Sequence, residues 1–436
     1  SSLASAAPSP RSPSRPMEDE SLRKAEKPQL ELSDAAALAA ELYGLTVELS
    51  SLKELDSYDD RNFYFRATPP PPPSAAAAAE ESLDANAVAA AGGAAPPDGA
   101  VARHYVLKVH NGVESQAPAL LEAQNEAMAL VRAAGLWAPR ALPSSRGRLI
   151  ETATRPLASA TPRDHAVRCL PFRPAKLLGD VPPSLPLLRA LGAAAARVAA
   201  ALRAYDHPAA RRAFLWDLAH AADVAALLHH LPEERRPAVQ QVLDEFGAVV
   251  LPLAPRLEQA VIHGDLNDQN VLVDEEGAQV LGVIDFGDMV RTWRVNEIAI
   301  TAAYVLIMLQ YDRRADAPEP PDAASALATL IRSYNEHMPL TEDEWAVLPT
   351  LISARVALSL ALPSSLRLPC TQCLALTVIG CRLATSLSVG AYSSSKDPDN
   401  EYLKLTLVPG WKALQGMRSV PSPKWTELLQ STPPTS

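Results

Sequence analysis

The sequence has 436 residues, 48% of them apolar, which is enough for two packed lobes. A formal net charge of −10 speaks against nucleic acid or an anionic membrane as partner and suits a substrate bearing ammonium groups. Cys169, Cys370, Cys373 and Cys381 follow no secretory-type segment, which argues against a disulfide framework and for a reducing compartment: the cytoplasm first, the mitochondrial matrix second.

Residues 1–32 read as a disordered tail. The first 16 are rich in Ser, Pro and Arg without an apolar stretch, so they do not form a signal peptide. Their lack of acidic residues fits a transit peptide, and a start at Met17 is the other reading. Residues 33–44 carry helix signals, a Ser or Asp cap and a closing Gly. Residues 45–55 alternate like a strand, and a glycine-free turn over 56–61 leads into a strand at 62–66. Residues 67–100 are a Pro/Ala insert of low complexity, read as a flexible loop. Strand pattern returns over 101–109, with Tyr105, Leu107 and Val109 on one face and His104, Val106 and Lys108 on the other. A lysine beside a small apolar neighbour suits a nucleotide pocket, the ammonium meeting phosphates and the aliphatic group the purine. A helix follows over 118–135, with Glu122 and Glu126 one turn apart, either able to reach Lys108. Residues 140–161 read as further sheet, and 166–172 as the last strand before a second lobe.

From 184 on the pattern is helical, through Phe214-x-Trp216-Asp217 and residues 227–257. Then come Val261-Ile262-His263-Gly264-Asp265-Leu266-Asn267-Asp268-Gln269-Asn270 and, later, Val283-Ile284-Asp285-Phe286-Gly287-Asp288, around two short apolar runs joined by a turn at 274–277. This reads as a β-hairpin with polar clusters at its rims. Phosphoryl transfer needs a carboxylate to receive or orient a hydroxyl proton and oxygen ligands for a magnesium ion on the phosphates. Asp265 fits the first role. Asn270, five residues on, and Asp285 of Asp-Phe-Gly fit the second. His263 reads as a brace for the loop. An apolar helix over 293–310 carries Glu297, either a helix-terminus acid or a cleft residue for an ammonium group; Asp288 is either a structural acceptor or a substrate contact. No apolar run reaches the roughly 18–20 residues of a membrane span. Ile352-x-x-Arg355-x-Ala357-x-Ser359-Leu360 recurs as Ile379-x-x-Arg382-x-Ala384-x-Ser386-Leu387, which marks residues 362–388 as an insertion or duplicated helix. Cys370-x-x-Cys373 is half of a zinc pattern with only Cys381 near it.

The string His-Gly-Asp-Leu-Asn-Asp-x-Asn followed by Gly-Val-Ile-Asp-Phe-Gly-Asp-Met resembles the aminoglycoside phosphotransferase-type small-molecule kinases and, more narrowly, the animal hydroxylysine kinases. Gly264 stands where protein kinases have arginine, and no Ala-Pro-Glu follows, so a protein substrate is not expected. The likeness runs from about residue 33 to 418 outside the two inserts, through Ala391-Tyr392, 400–403 and 410–412. It implies an α+β, two-lobed, protein-kinase-like fold: a nucleotide-binding lobe at 33–173, a helical catalytic lobe at 174–418 and a tail at 419–436. It also implies Ser57, Tyr58 and Asn62 near the nucleotide, Glu122 (in Glu122-Ala123-Gln124-Asn125) paired with Lys108, and Trp216 with Asp217 bordering the substrate cleft, where the residues alone leave Trp216 equally a plain core side chain. The reaction implied is transfer from GTP, or alternatively ATP, with Mg2+, to the hydroxyl of 5-hydroxy-L-lysine. Choline, ethanolamine, homoserine or aminoglycoside specificity is the nearest alternative; an aromatic content of 5% disfavours a choline cage. An inactive nucleotide-binding pseudokinase is the alternative of another class.

Overall fold

The computed structural model describes residues 25–55, 59–68, 102–156, 162–214, 216–230, 236–311 and 318–357, with the single residues 23, 57, 233, 409 and 413. Tyr58, most of the Pro/Ala insert, Cys370, Cys373 and Cys381, the second copy of the repeat and the C-terminal tail lie outside the described residues, as do Ala391, Tyr392 and residues 400–403 and 410–412.

The fold is α+β. Helix α1 (Leu32–Tyr43) precedes strands β1 (Thr46–Leu55), β2 (Arg61–Thr68), β3 (Arg103–Val109), β4 (Glu151–Pro156) and β5 (Pro162–Pro171). These five strands make one antiparallel sheet in the order β1-β2-β3-β5-β4. The alternation read from sequence is real: Phe63, Phe65, Tyr105, Leu107 and Val109 are buried with Leu38, Leu42 and Tyr43 of α1. Each such side chain contributes roughly 1.5–3 kcal/mol of burial free energy. The opposite face is left for Asn62, Tyr64, Val106 and Lys108, which are half-buried.

Two expectations change here, and one element is added. The end of the presumed tail is docked: Gln29 N donates to Pro156 O at 2.9 Å and Leu30 is buried. Residues 140–150 form no strand, since β4 begins only at Glu151. Between β3 and β4 a one-turn helix, α2 (Gly112–Ser115), precedes the expected one, α3 (Pro118–Ala133).

The second lobe holds β6 (Lys176–Leu177), α4 (Leu185–Leu202), α5 (Arg236–Glu245), β7 (Gln259–Ile262), β8 (Val271–Val273), β9 (Val280–Val283), β10 (Val290–Trp293), α6 (Val295–Met308), α7 (Ala323–His337) and α8 (Glu342–Ala357). Residues 227–257 are less regular than expected: 3-10 turns over Leu218–His230 and Ala254–Arg256, and a π-turn over Phe246–Val250, flank α5. Helix α4 is 18 residues long and, by length and composition, apolar enough to cross a membrane, which corrects the expectation that no run reaches that size. Leu187, Leu188, Leu191, Ala195 and Val198 of α4 lie in the core, and Ser333 Oγ of α7 donates to Arg189 O at 2.8 Å.

The hairpin β8–β9 pairs antiparallel, with Val271 opposite Val283. Trp137, after α3, lies alongside it: Trp137 N donates to Leu281 O and Val283 N to Trp137 O. A Cβ on Gly282 would sit 2.3 Å from Trp137 O, so this backbone approach needs glycine.

Candidate active site

Two ladders fix the loops that carry the polar clusters. Strand β7 ends at Ile262, opposite Val290 of β10, and the β8–β9 hairpin holds the other ends. Thus 263–270 leaves β7 and enters β8, while 284–289 leaves β9 and enters β10. Gly264 has φ 76°, and an added Cβ would stand 2.9 Å from Asp288 O; the two loops pack too closely there for a side chain. His263 Nδ1 accepts from Asp265 N at 3.2 Å, so its Nε2 carries the proton and donates to Ile284 O at 3.0 Å. Both ring nitrogens are engaged by backbone, and burial holds the imidazole below its ordinary pKa, in the neutral form.

Asp265 accepts from Asn270 Nδ2 at 3.1 Å and from Arg355 Nη2 at 3.2 Å. Burial pushes its carboxyl up to about 6 against the pull of Arg355. Asn270 Nδ2 also donates to Asp265 O, which leaves the amide oxygen on the other side as the atom that could offer a lone pair to a metal ion. Asn270 O receives Ile284 N at 2.9 Å, so Asn270 and Asp285 stand at adjoining ends of one ladder. Asp285 has φ 57°, a left-handed conformation that its own side chain supports by accepting from Gly287 N at 3.1 Å. Arg212, which the sequence reading passed over, holds the same segment by donating to Gly287 O and Met289 O.

Lys108 lies across from this hairpin, its Nζ 3.6 Å from Asp285 Oδ1 and 3.1 Å from Asp60 Oδ2. Burial works against the ammonium, but Asp285 and Asp60 outweigh it and hold Lys108 above the ordinary lysine pKa. Lys108 in turn holds Asp285 below the usual carboxylate range. Asn270 and Asp285 offer hard oxygen donors of the kind a divalent cation takes, and the depressed Asp285 is ionised for the purpose.

The expected Lys108–Glu122 pair is not formed. Arg168 of β5 donates to Gln124 and Asn125, which turns that face of α3 toward the sheet. Glu122 is two positions earlier, about 200° round the helix, and points to solvent. Glu126 accepts from the Tyr205 hydroxyl instead. Ser57 accepts from Lys27 Nζ through its carbonyl, and Asn62 stands opposite Lys108 in the β2–β3 register with its Oδ1 buried and unpaired. Trp216 is half-buried against the main core, and Asp217, buried, accepts from Thr292 Oγ1 at 2.6 Å and Ala219 N at 3.0 Å. Asp217 therefore ties β10 to its neighbour rather than lining a cleft. Asp288 is half-buried behind Gly264.

Glu297 is corrected as a substrate contact. It is fully buried, and its two oxygens accept from His263 N at 2.6 Å and Gly264 N at 3.2 Å, which makes it a brace for the loop. Burial pushes it up to about 7 against those two hydrogen bonds. A carboxyl raised by folding stabilises most below its unfolded value and loses that contribution as pH rises through the folded one. Relative to Glu297→Gln, the wild type should therefore lose melting temperature between about pH 4.5 and about pH 7. A constant difference across that window would show that the group does not titrate there.

Arg355 and Asp60 are the other residues the sequence reading did not assign. In the sequence Arg355 stands out only as part of a repeat, and Asp60 is one residue of the glycine-free turn over 56–61.

The sequence model of the phosphotransferase enzyme family matches residues 98–340. The hydroxylysine kinase of Xenopus laevis is 27% identical over 409 residues, covering 90% of this chain and 91% of its own length. That of Mus musculus is 28% identical over 402 residues, covering 89% of each. A solved amicoumacin kinase in complex with AMP-PNP, Ca2+ and Ami has a TM-score of 0.50 at 16% identity, over 74% of this chain and 83% of that one, a likeness of fold. With the match spanning more than half of the sequence, this chain belongs to the phosphotransferase enzyme family, as an enzyme that phosphorylates a hydroxyl group.

Proposed function

We propose that the protein transfers the γ-phosphoryl group of GTP to the hydroxyl of 5-hydroxy-L-lysine, giving 5-phosphohydroxy-L-lysine and GDP. The observation that carries this reading is the similarity to hydroxylysine kinases along nine-tenths of the chain. The convergence of Asp265, Asn270, Asp285 and Lys108 supports a working phosphotransfer site rather than an inactive scaffold.

In this mechanism Asp265 receives or orients the proton of the acceptor hydroxyl as the oxygen attacks the γ-phosphorus. Asn270 holds Asp265 through its amide and, with Asp285, would hold the divalent metal; when bound, that ion offsets charge on the phosphate oxygens. Lys108 meets the phosphates, and the half-buried sheet face with Val106 receives the purine. Glu297 and His263 keep the backbone of the loop in place.

The test is release of GDP or ADP, with GTP and ATP supplied in turn, across 5-hydroxy-L-lysine, lysine, choline, ethanolamine, homoserine and an aminoglycoside. Turnover is expected with hydroxylysine, faster with GTP, and absent with lysine, which lacks the hydroxyl. Turnover of choline or homoserine without hydroxylysine would replace the acceptor. Faster turnover with ATP would replace the donor.

A further inference from the structure

We propose that Asp60, at the end of the glycine-free turn before β2, is the anion that positions Lys108 for the nucleotide phosphates. The inference rests on the proposed function only in taking Lys108 to meet those phosphates; it does not depend on the acceptor.

Asp60 is 3% exposed and held from several sides. Its Oδ1 accepts from Asn111 N at 2.7 Å and Asn111 Nδ2 at 2.9 Å, while Oδ2 faces Lys108 Nζ at 3.1 Å and His110 Nδ1 at 3.3 Å. Despite its burial, Lys108 and His110 keep the carboxyl well below the ordinary aspartate value. The support extends outward. Asp59 pairs with Arg23 at 2.6 Å, and Arg23 also pairs with Glu114. Glu114 accepts from His110 Nδ1 at 3.0 Å, and Arg168 Nε donates to His110 Nε2 at 3.1 Å. Asp60, His110 and Glu114 bring their ligand-type atoms within 4.8 Å of one another, as a metal cluster would. Lys108, Arg168 and Arg23 already balance that charge, so the group reads as a salt-bridge network with the lysine as its functional end.

The geometry gives Asp60 a task that Asp285 cannot perform alone. Lys108 stands between the two carboxylates, at 3.1 Å from Asp60 and 3.6 Å from Asp285. Were Asp285 to hold a cation, its pull on Lys108 would weaken, and Asp60 would keep the ammonium in place. Because Asp60 comes from the turn rather than from α3, the position of the turn and that of the lysine are linked.

The test is a double-mutant cycle on the full chain: wild type, Asp60→Asn, Lys108→Met and the double variant, with Glu122→Gln alongside. Turnover is read with the best donor and acceptor of the panel, and nucleotide affinity by calorimetry with a non-hydrolysable GTP or ATP analogue and Mg2+. The calorimetric arm reports on Asp60 even if hydroxylysine fails as acceptor. Asp60→Asn keeps the size and one accepting oxygen. It is expected to lower kcat by about tenfold, in the range of measured couplings between contacting residues, with the acceptor KM within about twofold. In the Lys108→Met background the same change should add nothing to either readout, because Asp60 acts through the lysine. A full additional loss in that background would mark Asp60 as a purely structural residue and overturn the inference. So would a loss seen with Glu122→Gln and not with Asp60→Asn. Should Asp60→Asn fail to fold, Asp60→Glu takes its place in the cycle, and its effect must likewise vanish when Lys108 is absent.

Discussion

Asp265→Ala is expected to lower kcat by about 10²- to 10⁴-fold, the range for removing a positioned acid–base group, and to leave nucleotide affinity within a few-fold. The two halves of that expectation come from different contacts. The carboxyl, raised to about 6, is a stronger base than an ordinary aspartate and is still ionised near neutrality. Asn270 keeps its second tie, to the backbone oxygen at residue 265, so the oxygen donors next to it stay in place when the carboxylate is gone. Asp265→Asn, which retains the shape, should lose as much turnover as alanine. In the wild type the ionised form is the active one, so turnover should be present above, and lost below, a pH of about 6. If nucleotide affinity with Mg2+ fell in parallel with kcat, Asp265 would be part of the binding apparatus and the proposed division of roles would fail.

The residues legible from sequence are those whose relation is local. Asp265 and Asn270 sit on one loop, Asp285 on the next strand end, and Lys108 on a strand whose alternation puts it on the open face. Spacing alone conveys such relations. The partner of Lys108 was not legible, because the rotation of α3 about its axis is set by Arg168 reaching Gln124 and Asn125 from another strand. Either face of that helix carries polar residues, so periodicity could not choose. Strand β10 was hidden for a related reason. Val290–Trp293 is four residues long, has its two polar residues side by side rather than alternating, and becomes a strand only by pairing with β7. Glu297 could be placed near a helix start from sequence, but its bonds run to a loop 33 and 34 positions earlier. No local pattern announces those.

Arg355→Met is expected to reduce turnover at neutral pH by roughly tenfold or more and to move the acid limb upward, because an opposite charge at this range displaces a carboxyl by about 1–3 pH units. Arg355 is wholly buried near the end of α8, with its guanidinium over the Tyr304 ring at 5.2 Å and one arm 3.2 Å from Asp265. Burial raises the carboxyl and Arg355 opposes that rise. Without the guanidinium the opposition is gone, a larger fraction of Asp265 carries a proton at neutral pH, and the base is unavailable. Methionine fills similar space without the charge, so the packing of α8 is largely kept. The discriminating measurement is the pH profile. A variant impaired through its base recovers most of the wild-type rate in alkaline buffer, where Asp265 ionises again. A variant impaired through packing stays slow at every pH, and that outcome would remove Arg355 from the account of the site. Arg355→Lys should fall between, since it restores the charge but not the planar fork that reaches Asp265 while stacked on Tyr304.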